Sequence, residues 1–205
     1  MGLTKRQIKT GLNRVAALEP KVATALDAYG YPATRNREKG YATLLRTIVG
    51  QQVSVAAANS VWGKLEGLLG EGCEPAYLME QEADALRACG LSRQKQGYAR
   101  SLAELVVSGE LLLEELPTDD EEAIAYLVQV KGIGRWSAEV YLLFAEGRRD
   151  MWPAGDLAVQ AGIGTMFGLA ERPSEKETRA LSVEWSPYRG SMALFAWHCY
   201  NTPAL

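Results

Sequence analysis

Lys131-Gly132-Ile133-Gly134 is the stretch of this 205-residue chain with the clearest chemical use. Two glycines at i and i+2 allow tight backbone geometry and leave amide N–H groups uncovered by side chains. If a helix starts near Arg135, its first amides lack intrahelical partners. Together with the positive end of that helix they make a site for one phosphate, with no basic side chain required. Ile133 can plug down between the flanking helices and hold the turn. The same residues also describe an ordinary antiparallel helix pair with a glycine turn, so the rest of the chain must decide.

The elements around the turn are helical. Thr118 after Pro117 is a plausible N-cap with Glu121 at the N3 position of a capping box, and Ile124, Leu127 and Val128 supply an apolar face. Beyond the turn, Trp136, Val140, Leu143 and Phe144 fall on roughly one side of a helix to about Glu146. Upstream, residues 4–30 predict one or two helices with Pro20 in the first turn of the second, and 36–40 a linker. Leu44, Leu45, Ile48 and Val49 make a helix that Gly50–Ser54 interrupts. Val53, Ala57, Val61, Leu65 and Leu68 continue a stripe, with Ala56, Ala57 and Ala58 permitting close packing. Short helices follow near 75–81 and 83–89, then one capped by Ser92 through Val107, its core face Tyr98, Leu102, Leu105 and Val106. Val159, Ile163, Met166 and Phe167 read as a helix. Ser174 with Glu177 is a second capping box. A final helix ends near Trp197. No sustained strand alternation appears, so the expected class is all-α.

Composition is ordinary: 47% hydrophobic, 23% charged, with no apolar run of 18 residues and hence no expected membrane span. The start has basic residues without a following apolar signal core, which points to a cytoplasmic protein. Cys73, Cys89 and Cys199 are odd in number and far apart, suiting a reducing compartment and giving neither a disulfide scaffold nor a compact metal quartet. The net charge of −3 argues mildly against a nucleic-acid partner. Its distribution is uneven, however. Lys5, Arg6, Lys9, Arg14, Arg35, Arg37 and Lys39 make the N-terminal part basic, and residues 110–122 hold an acidic block.

The hairpin, together with Trp152-Pro153-Ala154-Gly155-Asp156, Gln51-Gln52 and Trp185-Ser186-Pro187-Tyr188-Arg189, resembles the helix-hairpin-helix DNA glycosylase superfamily. The likeness is to its 3-methyladenine glycosylase II branch over about residues 41–200, without that branch's extra N-terminal α/β lobe. It implies two helical lobes flanking a cleft, lobe A approximately 1–39 plus 150–205 and lobe B approximately 40–149 with the hairpin at 118–146. Asp156 matches the catalytic carboxylate. It lies twenty residues after Trp136. The helix carries the chain about 18 Å from the turn, and the loop from Gly147 to Gly155 is long enough to bring it back.

The resemblance further implies a DNA wedge at Gln52 beside Gln51, where relatives usually have an apolar residue. Phosphate binding falls to Lys131, Gly132, Ile133, Gly134 and Arg135. The base pocket would be walled by Trp136, Trp152, Trp185 and Tyr188. A sodium or potassium ion on the backbone carbonyls of Val128, Val130 and Ile133 is also implied; no other cofactor is expected, and an iron–sulfur cluster is not, because Cys199 stands alone in the last hundred residues. Bifunctional relatives have a lysine where Trp136 stands, so the expected activity is monofunctional: release of alkylated purines (3-methyladenine, 7-methylguanine type) from duplex DNA, leaving an abasic site. Two alternatives remain open at this point: a glycosylase for deaminated, ethenoadenine or mismatched bases, and a noncatalytic structure-specific DNA-binding module. The expected partner is double-stranded DNA with a damaged base, met by a monomer, at the nucleoid in a prokaryote.

Overall fold

The computed structural model describes residues 2–203, and among them every regular element is helical. In chain order these are α1 (Lys5–Ala16), α2 (Pro20–Tyr29), α3 (Tyr41–Gly50), α4 (Val55–Leu69), α5 (Pro75–Glu80), α6 (Ala83–Ala88), α7 (Arg93–Val107), α8 (Asp120–Val128), α9 (Arg135–Tyr141), α10 (Leu157–Phe167), α11 (Glu175–Leu181) and α12 (Arg189–Asn201). The all-α expectation holds. None of the described helices is long and apolar enough to cross a membrane.

The starts are set by local chemistry. Thr4, Ser54, Ser92 and Ser174 accept the third backbone N–H of their helices, and Thr4 and Ser174 close full capping boxes with Gln7 and Glu177. Pro20 sits at the first position of α2. One expected cap moves. α8 is capped by Asp119, whose Oδ1 accepts from the Glu121 and Glu122 amides at 2.9 Å, rather than by Thr118. A carboxylate that satisfies two orphan donors and faces the positive helix end outcompetes a hydroxyl that satisfies one.

The chain divides into two compact units, 38–138 forming one and the chain up to Arg37 together with that from Glu139 onward forming the other. The stretch after α9 is built into the core of the unit that resumes at Glu139. There Leu142–Glu146 widens into a π-helical turn with Leu142, Leu143, Phe144 and Ala145 buried, ended by Gly147 at φ +71°.

Within 38–138, Leu44, Leu45, Ile48 and Val49 of α3 are buried as expected. The stripe on α4 is not the expected one. Trp62, Leu65 and Leu69 face inward, whereas Val53, Ala57 and Leu68 are exposed and Val61 is only half-buried. The first turns of α4 project into solvent, so apolar character there does not report a core. Val128 is likewise exposed, while Ile124 and Leu127 carry the inner face of α8. On α7 the fully buried positions are Ala99, Leu102 and Ala103, with Tyr98, Leu105 and Val106 half-buried.

In the other unit the main crossing is α10 against α12. It is close enough that a Cβ on Gly162 would overlap the Ala196 carbonyl. Val159, Ile163, Met166 and Phe167 of α10 pack there, with Met192 through Trp197 opposite. The three cysteines are free and buried. Burial pushes the Cys73 thiol up to about 11 and that of Cys199 to about 12, so neither is a nucleophile at neutral pH.

Candidate functional site

The glycine turn between α8 and α9 is held from three directions. Ile133 is buried, and its N–H donates to the Val130 carbonyl at 3.0 Å. Gly132 has φ +86°, and its α-carbon lies against the Tyr98 ring so closely that any side chain would overlap it. The Gln51 side-chain amide donates to the Gly132 carbonyl at 2.8 Å. The Lys131 N–H is also used, donating to Ser101 Oγ at 3.3 Å. Among the described residues the amides of Gly132 and Gly134 have no hydrogen-bond partner. At Gly134, nothing lies within 4 Å of the space a Cβ would fill. Two N–H groups in the turn that leads into α9, with open space before one of them, suit one anionic oxygen ligand.

One expected phosphate contact changes character. The Arg135 guanidinium is held by both carboxylate oxygens of Glu121, at 2.6 and 2.8 Å, which offsets much of its charge. Lys131 is exposed, as a phosphate-facing side chain would be. For the implied monovalent ion, Val128 ends α8, where carbonyls lack intrahelical partners, and Val130 lies two residues beyond it. The Val130 carbonyl accepts one hydrogen bond, from Ile133, which leaves its second lone pair. With Ile133 these neutral oxygens fit a hard cation of low charge.

Gln51 and Gln52 separate in role. Gln51 is tied to the hairpin through Gly132, so its amide is not the wedge. Gln52 is exposed at φ +55°, a region that non-glycine residues seldom enter, and Val53 and Val55 are exposed beside it. The loop therefore presents Gln52 outward from a base pinned to the glycine turn.

Asp156 caps α10. Its Oδ1 accepts from the Ala158 amide at 2.9 Å, the Val159 amide at 3.0 Å and the Trp197 indole Nε1 at 3.1 Å. Asp156 is half-buried, so the carboxylate is fixed without being sealed under packed side chains. Trp197 itself packs on Phe144, ring centres 5.3 Å apart. The loop that carries Asp156 is clamped upstream. Asp150 accepts from the Arg189 Nε at 2.9 Å, its Nη2 at 2.7 Å and the Ser186 hydroxyl at 2.7 Å. Burial alone would raise the Asp150 carboxyl, but the hydrogen bonds from Arg189 and Ser186 outweigh it and hold the group below its ordinary value. The Gly190 N–H adds a bond to the Arg149 carbonyl at 2.8 Å.

The four expected aromatic walls divide. Trp136 is 41% exposed and presents an indole on the first turn of α9. Tyr188 is half-buried with the Arg149 guanidinium 5.5 Å from its ring centre. Trp152 and Trp185 are core, 3% exposed each, packed edge-on at 5.4 Å. The Trp152 Nε1 is spent on the Thr178 carbonyl. That pair is a correction: neither ring is open to stack on a ligand. The indole next to the carboxylate is instead Trp197, which sequence reading took only as the end of a helix. Its partner is 41 residues away, and no local spacing could announce the contact.

Known proteins resemble this chain in sequence and in fold. The chain is 31% identical over 173 residues to DNA-3-methyladenine glycosylase 1 of Schizosaccharomyces pombe, which covers 82% of this chain and 76% of that one. Its fold matches the S. pombe 3-methyladenine DNA glycosylase solved with abasic DNA, at TM-score 0.81 and 28% identity over 92% of this chain and 95% of that one. It also matches a DNA-3-methyladenine glycosidase from Bacillus halodurans, at TM-score 0.86 and 29% identity over 94% and 89%. Residues 45–187, more than half of the sequence and inclusive of the glycine turn and Asp156, match the HhH-GPD superfamily profile. The chain belongs to the HhH-GPD superfamily of base excision DNA repair proteins.

Proposed function

We propose that this protein is a monofunctional DNA glycosylase that extrudes alkylated purines of the 3-methyladenine and 7-methylguanine type from duplex DNA and hydrolyses the N-glycosidic bond, leaving an abasic site. The observation that carries this reading is the Asp156 carboxylate, fixed by two amides and an indole at the head of α10.

As the glycosidic bond breaks, positive charge develops on the sugar. A carboxylate already held in place stabilises that charge without reorganising, and more strongly where water is partly excluded. Asp156 also orients the attacking water and takes its proton as the C–O bond forms. A purine alkylated at a ring nitrogen is cationic and leaves as a neutral base, so no general acid is required. Trp136, exposed on α9, offers an electron-rich face to such a cation. Because that position holds an indole and no amine, no Schiff base forms and the DNA strand stays intact.

DNA is held by the amides of Gly132 and Gly134 on one backbone phosphate. A sodium or potassium ion bound to the Val128, Val130 and Ile133 carbonyls would add positive charge at the same place. Gln52 enters the gap left by the extruded base and hydrogen-bonds the orphaned partner. The protein acts as a monomer at chromosomal DNA in the cytoplasm. A noncatalytic hairpin module would have no use for a carboxylate fixed by three donors.

The test uses duplexes that each contain one lesion: a 3-methyladenine analogue, 7-methylguanine, ethenoadenine, hypoxanthine or uracil. Base release and strand cleavage are scored separately. The alkylated purines should be released without strand cleavage, and Asp156→Asn should bind damaged duplex yet lose excision by at least about 100-fold. Undiminished turnover by that variant, or preferred release of the deaminated bases, would overturn the assignment.

A further inference from the structure

The basic segment before α3 has no part in the chemistry above. Residues 31–40 run without regular structure, and Arg35, Arg37 and Lys39 are exposed along it. The segment is nonetheless fixed. The Arg37 N–H donates to the Phe144 carbonyl at 2.9 Å. Gly2 closes on the Arg35 carbonyl and the Asn36 side chain so tightly that a Cβ there would overlap both. The Arg35 guanidinium lies 5.7 Å from the centre of the Trp197 ring, and that of Arg37 lies 6.0 Å from the centre of Phe144. Trp197 is the indole whose N–H holds Asp156. The Arg35 guanidinium and the Asp156 carboxylate therefore share one indole.

We infer that Arg35 binds a DNA phosphate adjoining the extruded nucleotide, an inference that rests on the glycosylase reading. Among the described residues Arg35 has no hydrogen bond or ion pair, whereas Arg135, Arg179 and Arg189 are all paired with carboxylates. Its stacking on Trp197 limits the freedom lost on binding and leaves the donor edge of the guanidinium for a bidentate oxyanion. Chemistry supplies that oxyanion. The sugar of an extruded nucleotide is esterified to a phosphate on each side, so seating the sugar against Asp156 brings a phosphate with it. Electrostatics requires the pairing as well. A bare guanidinium on the indole that holds Asp156 opposes the positive charge that forms on the sugar, and a phosphate neutralises it.

The experiment compares wild type, Arg35→Ala and Arg35→Lys. Affinity for a duplex with a tetrahydrofuran abasic-site analogue is measured over a range of salt, alongside single-turnover release of 7-methylguanine and thermal midpoints. Arg35→Ala should bind about tenfold more weakly. The slope of log affinity against log salt should become shallower by about 0.9, one phosphate's share. Arg35→Lys should restore the slope and only part of the affinity, and the thermal midpoints should agree. Unchanged affinity and slope in Arg35→Ala would overturn the inference. So would weaker binding with an unchanged slope, since that outcome means Arg35 acts by packing on Trp197. If wild type releases no base while Arg35→Ala still shows the shallower slope, the phosphate contact stands and the glycosylase reading falls.

Discussion

The glycine turn and the Asp156 loop solve opposite problems. In the function proposed, the working groups at the turn are main-chain amides, and side chains serve to brace them: Ile133 from below, Tyr98 against Gly132, Gln51 on the Gly132 carbonyl. At Asp156 the proposed working group is a side chain, and main-chain amides with one indole do the bracing. A backbone site is insensitive to most substitutions but has one position where the chain geometry permits glycine alone. A side-chain site depends on one functional group and on the donors that aim it. Affinity should therefore be concentrated in the first region and rate in the second.

The largest effect that would break this contrast, after loss of the Asp156 carboxylate itself, concerns the two glycines. Gly132→Ala places a Cβ at φ +86° and into the Tyr98 ring. The backbone term alone is about 1–2 kcal/mol, so abasic-duplex affinity should fall at least tenfold with a lower thermal midpoint. Gly134→Ala meets open space and should change stability and affinity by no more than about twofold. Equal losses at both positions would show that the turn is not braced at Gly132.

Next in size is Trp197→Phe. It keeps an aromatic ring near Phe144 and Arg35 but removes the indole donor to Asp156. Single-turnover excision should drop about tenfold with duplex affinity unchanged, as expected for one hydrogen bond to a charged group. A loss in affinity with the rate preserved would reverse the division of labour.

Smallest is Asp150→Asn, which weakens the clamp on the Asp156 loop. At neutral pH the variant should be less stable by about 1 kcal/mol. The wild-type carboxyl is held below 3.8 when folded, so the unfolded chain takes up the proton first as pH falls. The stabilisation is thus complete above the ordinary carboxylate range and is lost as pH drops through the depressed folded value. Thermal midpoints of the two proteins should converge on acidification, and a constant gap would remove Asp150 from the account.

Much of the fold was legible because it is written in short-range chemistry. Ser92, Ser174 with Glu177, Pro20 and the glycine turn each declare a helix boundary within four residues. Even the shifted cap at Asp119 is a contest between neighbouring residues. What failed required knowledge of distant neighbours. Val53, Ala57 and Leu68 fit a helical period yet face solvent, because among the described residues no partner covers that side of α4. Trp136, Trp152, Trp185 and Trp197 look alike in sequence, and tertiary contacts alone separate an exposed platform, two core rings and a carboxylate holder. The Asp150–Arg189 clamp spans 39 residues and was equally hidden.

Gln52 holds its left-handed backbone without the glycine or asparagine that such a position favours, at a cost of about 1 kcal/mol or more. A selection for heat tolerance alone would replace it with glycine and gain on every melting curve. The same exchange would leave the loop with nothing long enough to enter a base stack. Under the wedge role proposed for Gln52, durability and reach into the double helix compete for a single residue.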